Sequence, residues 1–232
     1  MPRRKEKLGT GNIYHVLNRG VDQRTTFEDN QDFLRFLNLL AYYLQGQRLP
    51  YSQAQRAQRL DMHTRSESGP RLVKLLCFCI MPNHFHLLLH QECDGGISRY
   101  LQQIENGYAR YFNTRYRRTG HLFSGQFRAI RIYTDEQFLH VTRYIHVNPH
   151  VAGLTRDVFS YPWSSLPWYT RRNLHSESSS LISEVRKKLD LSTDLLSQMI
   201  PAHEYERFLT DHAEYARELA SIKHLLLEEQ TS

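Results

Sequence analysis

The chain has 232 residues, of which 40% are hydrophobic, and this length and composition exclude a miniprotein and a disordered polypeptide. Its formal net charge is +6, but residues 1–172 carry 24 basic and 13 acidic side chains, whereas residues 173–232 carry 6 and 11. The first three quarters of the chain are therefore suited to bind a polyanion such as a nucleic acid.

The N-terminal part predicts a strand, a helix and a polar insertion. Residues 12–20 (NIYHVLNRG) alternate between two faces and end at a glycine, which is typical of a strand. After the capping residues Asp29 and Asn30, apolar residues at helical spacing predict a helix to about Gln45. Residues 46–70 are rich in Gln, Arg and Ser and poor in large aliphatic residues, so we expect a long loop there.

The middle of the chain contains the clearest hairpin signal. The apolar runs at residues 71–80 (RLVKLLCFCI) and 84–90 (HFHLLLH) are separated by turn-forming residues, which predicts two antiparallel strands. Residues 97–116 have the spacing of an amphipathic helix, and residues 127–133 predict a further strand. A third helix opens at residue 135 and is expected to end near Asn148, because Pro149 disfavours a helical conformation of the preceding residue.

This order of elements predicts the fold class. Strand, helix, two strands, helix, strand and helix indicate an α+β fold, a ferredoxin-like split βαβ sandwich with an antiparallel sheet. Residues 1–172 would form this domain, with the polar insertion at 46–70, and residues 173–232 an acidic helical C-terminal region of two or three helices. That region could pack on the first domain, mediate assembly or cover the basic surface.

His84 and His86 lie two residues apart in the second strand of the hairpin. Alternate residues of a strand share a face, so these imidazoles can bind one metal ion while Phe85 points into the other layer. The alternative is that one histidine is a core residue and the other lies at an edge. A catalytic metal site commonly takes three protein ligands, so a third donor is expected elsewhere in the chain.

The helix that opens at residue 135 offers such a donor. Tyr144 and Asn148 lie four residues apart and stack on one flank of the helix, so a metal ligand at Asn148 would hold the phenol of Tyr144 beside the ion. A tyrosine hydroxyl next to a metal can attack a phosphodiester in line, keep the 5′ phosphate covalently and release a 3′ hydroxyl.

Three segments carry a resemblance to a known family: "MPNHFHLLL", "ARYFNTRYRRTGHLFSGQFRA", and "RYIHVNPHVAGL" followed by "YPWSS". Together they resemble the HUH single-tyrosine transposases, and within them the REP-associated tyrosine transposases. The resemblance implies that His84 and His86 bind Mg²⁺ or Mn²⁺, that Asn148 is a third ligand and that Tyr144 is the nucleophile. It also implies single-stranded DNA beside an imperfect palindromic hairpin as the substrate, cleaved and rejoined without a nucleotide cofactor. Both monomers and homodimers are compatible with it.

Arginines interleaved with aromatic residues indicate where DNA would bind. Arginines fix phosphates and aromatic rings stack on unpaired bases, a combination suited to single-stranded or hairpin DNA. The candidate DNA-binding residues are Arg3, Arg4, Arg19, Arg110, Arg115, Arg117, Arg118, Arg128 and Arg131.

The sequence thus predicts a metal-dependent endonuclease and strand transferase of single-stranded DNA. Two other functions are compatible with it: a domesticated hairpin-binding protein without cleavage activity, and a metal hydrolase that uses only the histidine pair and a bound water. The three cysteines have no CxxC spacing and are expected to be reduced thiols. No apolar run has the length of a signal peptide or a membrane span, so we expect a cytoplasmic, nucleoid-associated protein without a membrane partner.

Overall fold

The computed structural model describes residues 7–44, 46, 49–59, 69–170 and 180–211. The strands and helices, in chain order, are β1 (Ile13–Arg19), α1 (Asn30–Leu44), α2 (Tyr51–Arg59), β2 (Val73–Met81), β3 (His84–Gln91), α3 (Gly96–Arg115), β4 (Arg128–Ile132), α4 (Asp135–Val151), α5 (Ser180–Lys188) and α6 (Asp194–Met199). Residues 202–211 are also helical.

The four strands form one sheet in the order β2-β3-β1-β4, and every neighbouring pair is antiparallel. The predicted hairpin is β2–β3, and α1 connects β1 to β2 across β3. This is the order of a ferredoxin-like split βαβ sandwich, so the predicted fold class is confirmed. In the β1–β3 register, Leu17 lies opposite His86 and Arg19 lies opposite His84.

Helices cover both faces of the sheet. On one face, Phe85 of β3 packs against Phe36 of α1, with 5.0 Å between ring centroids, and Asn18 of β1 donates a hydrogen bond to Glu105 of α3. Since successive strand residues alternate faces, His86 points to the other side, where α4 packs over β2 and β3. The core between these layers is built from apolar residues of the sheet and of the helices on its two faces.

Helix α4 continues beyond the predicted end. The expected stop near Asn148 is wrong, because the helix runs to Val151 with Pro149 in its last turn. Pro149 has no backbone N–H to donate to the carbonyl of Ile145, so the helix loses one bond there, but the residues that follow continue the turn. Bonds from Ala152 N to the Asn148 carbonyl and from Leu154 N to the Pro149 carbonyl, both 2.9 Å, close the turn.

The polar insertion is not entirely a loop. Helix α2 occupies Tyr51–Arg59, contrary to the prediction for residues 46–70, while residues 60–68 lie outside the described residues. Gln, Ala and Arg are good helix formers, and Tyr51 anchors the helix on α1. Its ring lies 5.1 Å from that of Tyr42 and under the guanidinium of Arg35 at 4.5 Å.

The described part of the C-terminal region packs on the rest of the protein. Its apolar residues Ile182, Val185, Leu189, Leu196, Tyr205 and Leu209 are buried in the shared core. Ser192 N donates to the carbonyl of Leu75 at 2.9 Å, which attaches this region to β2, an edge strand of the sheet. The proposed domain boundary at 172–173 lies outside the described residues.

Cys77, Cys79 and Cys93 are free thiols, and the first two are fully buried. Among the described residues, no helix combines the length and the apolar character that crossing a bilayer requires.

Candidate active site

The paired histidines lie on β3, one of the two central strands. Phe85, Leu87 and Leu89 are fully buried on one face of this strand, so His84 and His86 share the other face. Their ring centroids are 4.9 Å apart, and His86 is only 3% exposed. The apolar alternation of β3 therefore fixes both imidazoles side by side.

A hydrogen bond orients each imidazole through its Nδ1 atom. His84 Nδ1 lies 2.6 Å from Asn83 Oδ1, and His86 Nδ1 lies 3.0 Å from His15 Nε2. An amide oxygen only accepts, so Nδ1 of His84 carries the proton and its Nε2 keeps a lone pair. A histidine that binds a metal commonly donates its other N–H in this way.

Helix α4 brings Tyr144 and Asn148 to the histidine pair. Thr134 caps the start of the helix by accepting a bond from Gln137 N. Ring centroids of Tyr144 and His86 are 5.5 Å apart with an edge-on orientation. Asn148 Nδ2 lies 3.3 Å from His86 Nε2. The structure therefore brings together the four residues predicted for the catalytic and metal-binding site.

Burial keeps the imidazoles neutral. It lowers the pKa of His84 and His15 to about 4 each, with a further lowering of the His84 value by the positive charge of Arg19. Burial also lowers the pKa of His86 well below its ordinary value, and the neighbouring histidines and Arg19 act in the same direction. Neutral imidazoles are the form that coordinates metals.

Burial has the opposite effect on the phenol. It raises the pKa of Tyr144, while a hydrogen bond with Asn148 and the charge of Arg19 lower it. Tyr144 is therefore protonated at neutral pH in the free protein, and a nucleophilic role requires additional cationic charge at the site.

The donor set fits a divalent ion. His84 and His86 offer adjacent imidazoles with Nδ1 already bonded, and the Asn148 amide nitrogen lies within hydrogen-bond distance of Nε2 of His86. Coordination by Asn148 would use its carbonyl oxygen, so the amide must exchange its two ends. No group of three or more His, Cys, Asp or Glu side chains suited to a metal occurs among the described residues. A site of two imidazoles and one amide leaves positions open for a phosphate oxygen.

Comparisons with known proteins find one family model that matches part of the chain. The family model described as IS200-like transposase matches residues 46–148, which include the histidine pair, Tyr144 and Asn148. This part of the chain is similar to the IS200-like transposases. This confirms the resemblance seen in the sequence motifs and indicates a transposase-type function on DNA.

A solved structure shares the fold of this chain. The structure of a REP-associated tyrosine transposase bound to a REP hairpin matches with a TM-score of 0.52 and 15% sequence identity. The match covers 78% of this chain and 91% of that chain. No curated protein sequence matches the chain significantly.

Two of the predicted DNA-binding arginines lie on the site face of the sheet. Arg19 is opposite His84 across β1–β3, and Arg128 is opposite Leu17 across β1–β4. Both are exposed. Since Leu17 is in turn opposite His86, Arg128 lies in the same cross-strand row as that histidine. Two exposed cations thus lie near the histidine pair on this face.

The other predicted arginines have different surroundings. Arg131 donates to Asn12 at 2.7 Å, Arg118 donates to Asn113 at 2.8 Å, and Arg117 is exposed in the loop after α3. Arg110 is exposed on α3, on the opposite side of the sheet from His86. Arg3 and Arg4 lie outside the described residues.

Arg115 is held at the surface by two acidic side chains. Its two terminal nitrogens each lie 2.6 Å from a carboxylate, one of Asp29 and one of the fully buried Asp32. This fork joins the start of α1 to the end of α3. These ion pairs give Arg115 a structural role, so Arg115 is not among the DNA contacts proposed below.

Sequence reasoning did not select two residues beside the site. His15 belongs to the predicted first strand, but its contact with His86 depends on strand register, which the sequence does not reveal. Asn83 was assigned only to the turn before β3.

Proposed function

We propose that this protein is a metal-dependent endonuclease and strand transferase that acts on single-stranded DNA beside hairpins, as a member of the REP-associated tyrosine transposases. The proposal is carried by one observation: Tyr144 and Asn148 of α4 meet the paired imidazoles of β3, with the phenol 5.5 Å from the His86 ring.

In this proposal the metal ligands and the nucleophile come from different elements. His84, His86 and Asn148 would hold Mg²⁺ or Mn²⁺, which when bound polarises the scissile phosphate and offsets its negative charge. Imidazole ligands do not themselves favour Mg²⁺, so the choice of Mg²⁺ or Mn²⁺ rests on the family resemblance and not on the ligand types.

Tyr144 would carry out the covalent step. Its hydroxyl oxygen attacks phosphorus, the bond from phosphorus to the 3′ oxygen breaks, and the 5′ phosphate stays on the phenol. The phenolic proton is lost, and the departing 3′ oxygen takes up a proton to become a hydroxyl. A second 3′ hydroxyl reverses the reaction and joins a new strand. One phosphodiester is exchanged for another, so no nucleotide cofactor is consumed.

Charge and shape support single-stranded DNA as the partner. Exposed Arg19 and Arg128 adjoin the histidine pair on the half of the sheet formed by β1 and β4, whereas α4 packs over β2 and β3. Ile130, opposite His15 on this half, is 46% exposed. Cations beside an accessible apolar side chain suit a strand with unpaired bases. The solved structure of similar fold is bound to a REP hairpin, which supports a hairpin next to the cleaved strand.

The test is a covalent-adduct assay on a labelled hairpin oligonucleotide with a single-stranded flank. With Mg²⁺ or Mn²⁺ we expect a protein–DNA band that survives denaturation, and none with a chelator. Tyr144→Phe should abolish the band while hairpin binding changes less than about threefold, since only the hydroxyl is removed. The exposed Tyr133 provides a matched control, and Tyr133→Phe should leave the adduct unchanged.

Two outcomes would replace the proposal. Hairpin binding by the wild-type protein without any adduct in either metal would make it a binding module. Cleavage of an RNA hairpin without a protein-linked product would indicate attack by water in place of Tyr144.

A further inference from the structure

His15 is a buried polar residue on the site face of β1. It is 6% exposed, and its Nε2 atom lies 3.0 Å from Nδ1 of His86. The two rings stack with centroids 5.1 Å apart and an interplanar angle of 24°. The ring of Tyr144 meets His15 edge-on at 6.0 Å. His15 therefore contacts both a proposed metal ligand and the proposed nucleophile.

The contact between the two imidazoles specifies a tautomer. A hydrogen bond joins one N–H to one lone pair, so either His86 donates from Nδ1 or His15 donates from Nε2. If His86 is to offer a lone pair at Nε2, its proton must be on Nδ1 and His15 must accept. The Nδ1 atom of His84 already donates to Asn83, and a bond from His86 to His15 would leave both ligands in the same tautomer.

His15 is unsuited to be a further ligand. Its Nε2 atom is engaged by His86, and the described residues contain no group of three histidines, cysteines or acids with metal-binding geometry. An imidazole that accepts the Nδ1–H of a ligand acts on the metal only through that ligand.

We propose that His15 is a positioning residue that fixes the tautomer and the ring orientation of His86, so that His86 Nε2 faces Asn148 and the metal. The part that concerns the metal rests on the function proposed above, whereas the tautomer of His86 is a property of the metal-free protein.

The first measurement is nitrogen NMR of the metal-free wild-type protein with labelled histidines. The spectrum should show His86 protonated at Nδ1 and His15 carrying a lone pair at Nε2. A spectrum with His86 protonated at Nε2 would overturn the proposal, whether or not the protein cleaves DNA.

The second measurement is the affinity for Mn²⁺, determined by titration calorimetry. Loss of a group that orients a metal-binding histidine typically weakens metal binding about 10- to 100-fold, which is the expectation for His15→Phe. His15→Gln offers an amide oxygen as acceptor. It should bind Mn²⁺ to within about threefold of the wild-type affinity and keep His86 protonated at Nδ1. His90→Phe is the matched control, because His90 is on the same face of β3 but bonds to Glu92 at 2.5 Å; it should bind Mn²⁺ like wild type.

The outcomes separate the two proposals. Wild-type affinity of His15→Phe for Mn²⁺, with an unchanged His86 tautomer, would refute the role of His15. The wild-type protein could instead show the Nδ1 tautomer of His86 but neither bind Mn²⁺ nor form an adduct. That result would refute the proposed function and leave the positioning of His86 by His15 intact. If His15→Phe fails to fold, the NMR of wild type and of His15→Gln decides.

Discussion

At the scale of single residues, the site illustrates what side-chain spacing can predict. His84 and His86 share a face because strands alternate, and Tyr144 and Asn148 share a flank because they are four residues apart on a helix. Both relations are local in the chain. His15 on β1 contacts His86 on the neighbouring strand β3. The contact is diagonal, because the residue directly opposite His86 is Leu17. Such contacts depend on register, and a single sequence does not fix register.

Glu105 is a second residue whose environment is set by tertiary structure. Its carboxylate is mostly buried between α3 and β1 and accepts a bond from Asn18 Nδ2 at 2.9 Å. Burial raises the pKa of Glu105 from 4.5 to about 7, although the bond from Asn18 lowers it. The folded protein therefore holds this proton more tightly than the unfolded chain does.

This difference predicts a pH dependence of stability. A carboxyl group with a raised pKa contributes its full stability below pH 4.5, and that contribution is lost as the pH rises through about 7. The loss amounts to about 3 kcal/mol at most. Glu105→Gln keeps an acceptor for Asn18 but cannot ionise. Between pH 5 and pH 8 the free energy of unfolding should therefore decrease more in wild type than in Glu105→Gln, by about 1–3 kcal/mol.

Urea unfolding at the two pH values measures this effect. Glu136→Gln is the control, because the Glu136 side chain is 84% exposed and its removal should not alter the pH dependence by more than about 0.5 kcal/mol. Equal pH dependence in wild type and Glu105→Gln would show that the Glu105 carboxylate is solvated in the folded protein.

At the scale of elements, the spacing of apolar residues correctly predicted the strands and helices that bury one face in the core. The β2–β3 hairpin and helices α1 and α3 carry strong apolar periodicity, and their predicted bounds agree with the structure to within about two residues. Helix α2 contains few apolar residues and packs on α1 through Tyr51, so composition alone favoured a loop. The end of α4 was misplaced because Pro149 is tolerated in a last turn that later residues close.

Helix α4, which carries Tyr144 and Asn148, is fastened to the C-terminal region by a buried polar network. His146 Nδ1 lies 2.8 Å from the Tyr205 hydroxyl, and His146 Nε2 lies 2.8 Å from Ser165 Oγ. Tyr205 and His146 are each 1% exposed. Phe208 adds a stacking contact, with the guanidinium of Arg143 4.2 Å from its ring.

Tyr205→Phe should therefore loosen α4 without emptying the core. The ring remains, but one buried imidazole nitrogen loses its partner, which costs about 1–3 kcal/mol in free energy of unfolding. Amide hydrogen exchange in α4 should accelerate more than exchange in β3. The measurements are urea unfolding and exchange followed by mass spectrometry.

Tyr133→Phe again serves as the matched control. Tyr133 is 65% exposed, so the loss of its hydroxyl should change stability by less than about 0.5 kcal/mol. Unchanged exchange in α4 of Tyr205→Phe would mean that the C-terminal region does not hold this helix.

At the scale of the whole molecule, the uneven charge of the sequence corresponds to a separation in space. The described part of the acidic C-terminal region is attached to β2, whereas Arg128 lies on β4, at the opposite edge of the sheet. The sequence predicted a basic part and an acidic part but left open where the acidic part lies. That position depends on which sheet edge its apolar residues can cover, and this is a tertiary property.

The location of the basic surface predicts how salt should affect DNA binding. Each phosphate neutralised on a single strand contributes about −0.7 to the slope of log K against log salt concentration. Arg19 and Arg128 lie on the β1–β4 side of the histidine pair, so Arg19→Ala and Arg128→Ala should each make the slope shallower by about 0.7, and the double variant by about 1.4. Arg99→Ala removes the same charge from an exposed position on α3, beyond the other face of the sheet, and should leave the slope near that of wild type. Fluorescence anisotropy of a labelled hairpin with a single-stranded flank, titrated at several salt concentrations, gives the slopes of wild type and of the four variants. A slope that changes as much in Arg99→Ala as in the site-face variants would mean that the DNA follows α3 and not the strands beside Tyr144.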